Sequence, residues 1–392
     1  MAKGRKASAI KKKLNMVLYG EQFTGKSTFA SQIAMMHNED GSPMKVLYID
    51  CEFGSIDNYI EKMEAQGVNM NNIYILYTSS LAEVLEYIDK VKNHEPLPVL
   101  DDDGNEIDDE FVMDADGNIF YADAIVVDGT TILHMSVQQG LLEFSKKRAR
   151  VRADKKGLVG DEKLISIEGS SLETKDWGAI SYKGQNLILA LQGSGVHSIV
   201  TCREADEKES VKDSNGQVVS VSTGKKIPAG FKNLQYNADT CIRFYRDELD
   251  NVIAYVEKDR TEVHPKEVLE DPQLTDWQVV IDKSAGKDSF VLRNDLSDAA
   301  QTEQELYARE VLGRASAPIS KEDMKKELDE VVGKSDNIAS IQAEIKATIT
   351  SLSATQKSDL KKKLTDAGLP TAYNKVTDPE ILTKILSIAA SN

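Results

Sequence analysis

Eight residues constrain this chain more than any others. Gly20 to Ser27 read GEQFTGKS, satisfy G-x-x-x-x-G-K-[ST], and follow directly on the apolar run Met16, Val17, Leu18 and Tyr19. The pattern is that of a strand entering a glycine-rich turn and then a helix, which points successive backbone N–H groups at one spot. Gly20, Glu21, Gln22, Phe23, Thr24, Gly25, Lys26, Ser27 and Thr28 are therefore expected to cradle the phosphates of a nucleotide. In that frame Lys26 reaches the β- and γ-phosphates and Ser27 ligates Mg²⁺, so ATP and Mg²⁺ are the expected ligands.

The chain beyond the octapeptide keeps a regular rhythm. A helix is expected over 27–37, a strand over Lys45–Asp50, a helix over 56–66, a strand over Ile73–Tyr77, a helix over 81–91 and a strand over Ala124–Asp128. Apolar strands alternating with amphipathic helices predict an α/β fold with a mostly parallel sheet covered on both faces. A helix around Gly184–Leu191 and strands at His197–Thr201, Thr240–Tyr245 and Val252–Glu257 continue the pattern.

Two segments break it. Residues 95–123 carry eleven acidic side chains and no Lys or Arg, with Asp103, Gly104, Asn105 and Asp116, Gly117, Asn118 between apolar positions, and read as one or two inserted hairpins. A calcium loop fails there, because setting Gly104 or Gly117 at the sixth loop position puts Val99 or Val112 where an acidic ligand belongs. From about Asn294 the pattern turns helical, with capping signals Ser320/Asp323, Ser353/Gln356 and Thr377/Glu380 and helix-ending Gly333 and Gly368. The expected organisation is a basic tail at 1–13, a nucleotide-binding core at 14–296 with its insertion at 95–123, a linker at 297–318 and a small helical module at 319–392.

The net charge is −16, and eleven of those charges sit in the insertion. Basic residues gather at the N-terminus, including Lys3, Arg5, Lys6, Lys11, Lys12 and Lys13, and again between Lys146 and Lys156. No run of apolar residues approaches a membrane span, and no apolar stretch of the signal-peptide kind follows the basic N-terminus. Cys51, Cys202 and Cys241 lie far apart without metal-ligand spacing, so a reducing cytoplasm is expected.

Asp128 closes an apolar strand and has the form of a Walker B aspartate, ordering water around the Mg²⁺ held by Ser27. The next residue is Gly129, so the acid that often follows is missing and the water-activating base must come from elsewhere. Glu52, at the end of the second strand, is the candidate.

Read in order, the octapeptide, the run Leu47–Asp57, Val68–Tyr77 and Ala124–Asp128 resemble the core of the RecA-like P-loop ATPases. The resemblance spans residue 14 to about 262 and implies that Glu52 polarises the attacking water. It aligns Ser198–Arg203 with the strand bearing the family's γ-phosphate sensor, usually Gln or His, so Arg203 departs from the pattern. Arg203 either senses the phosphate by charge or pairs with nearby acids. Lys258 and Arg260 resemble the cations that reach the ATP of a neighbouring subunit, which implies an oligomer, ring or filament; the alternative is a solvated strand end. Lys146, Lys147, Arg148, Arg150, Arg152, Lys155 and Lys156 fall where RecA's first DNA-binding loop lies. Lys225 and Lys226, within 204–230, fall at the second. Trp177, Tyr182 and Phe231 flank these loops without forming a stacking platform.

The pattern looks like the phage-encoded single-strand annealing and recombination ATPases of the AAA domain family. That likeness implies a DNA-stimulated ATPase in the host cytoplasm that assembles on single-stranded DNA and works with a single-strand-binding protein. Two alternatives stay open: a DNA translocase of the RadA or DnaB type, and an ATP-gated protein scaffold that touches no DNA. Small kinase-type enzymes fit less well, having no use for the distant Lys258.

Overall fold

The computed structural model describes residues 11–212 and 217–287, with 303–306, 341–342, 345–346, 348–349, 352, 354–371, 376 and 379–390. Lys3, Arg5 and Lys6 of the basic tail, the linker apart from the helical 303–306, and the cap residues Ser320, Asp323, Gly333, Ser353 and Thr377 lie outside the described residues. The chain divides into units at 1–299 and 300–392.

In chain order the first unit contains β1 (Asn15–Gly20), α1 (Lys26–Ser31), β2 (Val46–Asp50), α2 (Asp57–Ala65), β3 (Ile73–Tyr77) and α3 (Leu81–Asn93). The insertion supplies β4 (Pro98–Leu100) and β5 (Glu106–Phe111), followed by β6 (Ala124–Asp128), α4 (Thr130–Lys155), α5 (Gly160–Glu168) and α6 (Thr174–Gly193). Then come β7 (His197–Lys212), β8 (Val218–Pro228), α7 (Leu234–Asn237), β9 (Thr240–Arg246), β10 (Val252–Asp259), β11 (Val268–Leu269) and α8 (Gln278–Asp282).

The main sheet runs β11-β10-β9-β1-β7-β6-β2-β3, with the run from β9 to β3 parallel and β10 and β11 antiparallel at one edge. β1, β2 and β6 are buried along their whole length. Each feeds both layers: Val17, Tyr19, Leu47, Ile49, Ile125 and Val127 pack on one side, Met16, Leu18, Val46, Tyr48, Ala124 and Val126 on the other. Helices on both faces are why these strands read as unbroken apolar runs instead of alternating ones. Leu133 of α4 and Ile180, Leu187 and Leu191 of α6 cover the first layer; Phe29 of α1, Met63 of α2 and Trp277 cover the second.

The helix expected over 27–37 is shorter, because α1 ends at Ser31 and gives way to a 3₁₀ turn at Gln32–Met35. The insertion forms the hairpin β4–β5 and then a second tight turn bridged by Met113 and Ile119. Asp101 and Asp114 shape the two turns by accepting backbone N–H bonds two and four residues on. The stretch 204–230 is the largest departure from expectation. Instead of a loop, β7 runs on from the sheet to Lys212 and returns as β8, an antiparallel ribbon.

The second unit holds helices Ala354–Asp366 and Pro379–Ala390. Its core gathers Ile345, Leu360, Leu364, Leu382 and Ile385, and Gly368 follows the first helix at φ +67°.

Candidate nucleotide site

The carboxyl ends of β1, β2, β6 and β7 meet at a cleft of about 350 Å³, lined by the phosphate loop on one side and Glu52, Ser55, Asp128 and Arg203 on the other. Gly20 turns the chain out of β1 at φ +146°, where a Cβ would stand 1.8 Å from the Phe244 carbonyl oxygen. Only glycine passes this point, because the obstacle is backbone. The Glu21 N–H then bonds that same carbonyl at 3.1 Å, tying the loop to β9. Thr24 is buried and donates its hydroxyl to the Glu21 carbonyl at 2.9 Å. Gly25, at φ +80°, starts α1 with no side-chain cap on its first N–H groups. Arg246 braces the loop from outside, its guanidinium on the Phe23 carbonyl at 3.0 Å.

Gln22, Phe23, Lys26 and Ser27 line the cleft, while Thr28 sits one residue further into α1. The Lys26 ammonium folds back onto the Glu21 carbonyl. Burial pulls its pKa below the ordinary lysine value, with Cys202, Asp128 and Glu52 acting in the opposite direction. A phosphate in the cleft would supply the anionic partner that this buried cation lacks.

Asp128 is 2% exposed and receives three hydroxyls: Tyr48 at 2.7 Å, Ser55 at 2.6 Å and Thr201. Thr201 also accepts the Gly129 N–H at 2.9 Å, locking the end of β6 to β7. A carboxylate so oriented is built to hold ordered water around a cation. The cleft presents Ser27, Ser55 and Asp128, all oxygen donors suited to a hard cation such as Mg²⁺. The one thiol there, Cys202, stays protonated because burial pushes its pKa up to about 12.

Glu52 is placed by Asp50, which the sequence reading passed over. The buried Asp50 carboxylate accepts N–H bonds from Glu52 at 2.9 Å and from Gly54 and Ser55 at 2.8 Å, pinning residues 52–55 into a fixed loop. Opposite it, a Cβ on Gly129 would approach Glu52 Cγ to 2.7 Å. The missing acid at 129 and the acid at 52 are thus one fact, since a side chain at 129 would occupy the space Glu52 uses. Arg203 projects from β7 and pairs with Glu52 at 3.1 Å, not with the acids that follow it in sequence.

The remaining expected site residues lie elsewhere. Lys258 donates to the carbonyls of Gln235, Tyr236 and Ala238 at 3.1, 3.0 and 2.5 Å, so its ammonium is spent holding α7 within its own chain. Arg260, 60% exposed and 3.5 Å from Asp239, is the member of that pair turned to solvent. Lys146 to Lys156 form the helical end of α4 and its cap, not a loop. Three of its cations are paired internally: Lys146 with Glu143 and Glu168, Arg148 with Asp176 at 2.5 Å, and Arg152 with Glu173. Lys226 pairs with Asp206 at 2.9 Å, and Lys225 is exposed on β8. Phe231 is buried against His134 and Gly184 and offers no stacking face, whereas Trp177 and Tyr182 are exposed. Among the described residues no helix is long and apolar enough to cross a membrane.

The architecture is an α/β fold, a mostly parallel sheet with helices on both faces and the phosphate loop at the end of its first strand. Solved structures similar to this chain include a KaiC-like protein from the hyperthermophilic archaeon Pyrococcus horikoshii OT3, at 14% identity and TM-score 0.34, covering 66% of this chain and 89% of that one. The RadB recombinase is similar at 15% identity and TM-score 0.35, covering 65% of this chain and 86% of that one. No curated protein matches the chain. The model of the AAA-domain family, in contrast, matches residues 12–269, and because that stretch is well over half of the chain and contains every strand of the main sheet, the protein belongs to the AAA-domain family.

Proposed function

We propose that this protein hydrolyses ATP in the cleft and couples turnover to single-stranded DNA, as an annealing or recombination ATPase. The observation that carries the reading is the convergence of Lys26, Glu52, Asp128 and Arg203 on one cleft at the carboxyl edge of the sheet. Lys26 and the loop N–H groups bind the β- and γ-phosphates, and Glu52 takes the proton of the attacking water. Ser27 and, through water, Asp128 would hold Mg²⁺, which when bound neutralises charge developing on the transferred phosphoryl group. Arg203 leaves Glu52 for the γ-phosphate once that anion is present.

Coupling to DNA is supported by β7, which passes without a break from Thr201 and Arg203 into the β7–β8 ribbon. A ligand on the ribbon is therefore mechanically close to the sensor. Assembly with further copies, with Arg260 presented to the neighbour, and action beside a single-strand-binding protein complete the proposal.

The internal pairing of Lys146, Arg148 and Arg152 favours a second reading, an ATP-gated protein scaffold. Turnover measured with and without a single-stranded oligonucleotide separates the two. DNA stimulation that disappears in Lys26→Ala and Glu52→Gln supports the first; turnover and nucleotide affinity both indifferent to DNA refute it.

A further inference from the structure

The paired helices α4 and α5 carry an unpartnered apolar face. Phe144 and Val151 of α4, Val159 in the connecting turn, and Leu164 and Ile165 of α5 are each more than half exposed. Five large apolar side chains left in water within about two dozen residues mark an interaction surface. The α4 part of their setting is cationic, while α5 opens with the acids Asp161 and Glu162. Phe144, Lys147, Val151 and Lys155 recur at helical spacing with Arg150 beside them, on the face away from the buried Ser145, Ala149 and Ala153. Among the described residues Lys147, Arg150, Lys155 and Lys156 have no ion pair, unlike Lys146, Arg148 and Arg152.

The complementary surface is on the same molecule, at the opposite end. The insertion joins the end of α3 to the start of β6, and Lys45–Asp114 and the Asn72 side chain on the Ala115 N–H fasten it to the amino ends of β2 and β3. α4, by contrast, leaves the carboxyl end of β6, and its basic half is held by Ser171 and Asp176 at the start of α6, a helix that runs toward the amino end of β7. The insertion bears exposed Asp102, Asp108, Glu110 and Asp116 together with partly exposed Phe111, Met113 and Ile119. The α4 half of one surface and the insertion thus each combine apolar side chains with unpaired charge, and the signs are opposite.

We infer that the α4–α5 face of one copy binds the acidic insertion of a second copy, building a head-to-tail assembly. A contact between unlike surfaces at opposite ends of a chain is heterologous, so it propagates into a ring or a filament. Charge complementarity sets which surfaces meet and the apolar residues supply burial. Single-stranded DNA would draw on the cations alone, since Phe144 already carries the Arg148 guanidinium over its ring at 5.3 Å and the other apolar residues are aliphatic.

The test is sedimentation of the full chain without nucleotide or DNA, so its outcome is independent of the ATPase reading. The wild type should self-associate, at least about tenfold more weakly when salt rises from about 0.05 M to about 0.5 M. One variant reverses the helix (K147E, R150E, K155E, K156E) and another the insertion (D102K, D108K, E110K, D116K). Each alone should be monomeric, and mixing the two should restore assembly, because every contact in the mixture again joins opposite charges. Unchanged thermal unfolding shows that both variants fold. L164D with I165D, which leaves the cations in place, should also weaken assembly. A wild type that stays monomeric until DNA is added, or two monomeric variants that fail to associate on mixing, overturns the inference.

Discussion

Gly129→Ala tests the site more sharply than removal of any charged group. Gly129 sits at φ +101°, ψ 41°, and a Cβ there would meet Glu52 Cγ at 2.7 Å and Cys51 Cβ at 3.4 Å. Holding an L-residue in that conformation costs roughly 1–3 kcal/mol. At about 2–4 °C of Tm per kcal/mol for a core of this size, the protein stays folded at room temperature. The close contact is relieved by rotating Glu52, whose backbone is fixed by Asp50. Its carboxylate then leaves the position from which it can polarise water. Loss of a placed general base costs about 10²–10⁴ in rate, equivalent to ~3–5 kcal/mol in the barrier.

The expected result is therefore a split: kcat for ATP falls by about two orders of magnitude or more, and nucleotide Kd changes by less than about tenfold. Glu52→Gln should reproduce the kcat loss without the fall in Tm. The double variant should be no slower than the worse single one, because both substitutions remove the same base. Wild-type turnover in Gly129→Ala, or losses that multiply in the double variant, would falsify the assignment of Glu52.

Other perturbations follow from the same wiring. Lys258→Met leaves three carbonyls at the end of α7 without their donor and should lower stability by about 1–3 kcal/mol in calorimetry; an unchanged Tm with lost turnover would instead restore this lysine to a role between subunits. Gly20→Ala drives a Cβ into the Phe244 carbonyl, which cannot yield, so a loss of upward of about 4 kcal/mol and insoluble expression are expected, and a soluble ATP-binding variant contradicts the geometry. His197 is buried with Nδ1 accepting the Leu14 N–H at 3.0 Å, and burial holds its pKa well below 6.5, with Lys13 and Lys11 adding to the effect. The unfolded chain therefore binds the extra proton first. Stability from this group is present above pH 6.5 and lost as pH falls toward the folded pKa, at about 1.4 kcal/mol per pH unit. His197→Gln should remove that part of the slope in thermal melts between pH 7 and about 5, and an identical slope would show that the ring titrates freely.

What the sequence disclosed and what it hid divide along a physical line. The phosphate loop is legible because its function is a backbone conformation, and backbone conformation is dictated locally by Gly20, Gly25 and the apolar run before them. The parallel core is legible for a similar reason: strands covered on both sides must be apolar throughout, and helices between them must be amphipathic. The pairing at the end of α4 is not legible, because its cations resemble a solvated patch until Asp176 and Glu173, two dozen residues away, are known to lie beside them.

The same limit applies inside the cleft. Tyr48 and Thr201 read as ordinary strand residues, Ser55 as a loop residue and Asp50 as a strand end. Their roles arise only where β2, β6 and β7 stand side by side and bring three hydroxyls to Asp128. Gly129 lies on the boundary between the two cases. As a residue it announced a missing acid, but the reason for the absence is tertiary: β2 and β6 pair residue for residue as far as Asp50 and Asp128, which puts the loop after one strand against the turn after the other. Beyond Asp50 and Asp128, the two neighbouring strand ends leave room for only one further carboxylate in the cleft. In this chain β2 supplies it, and β6 must then continue with a residue that has no side chain.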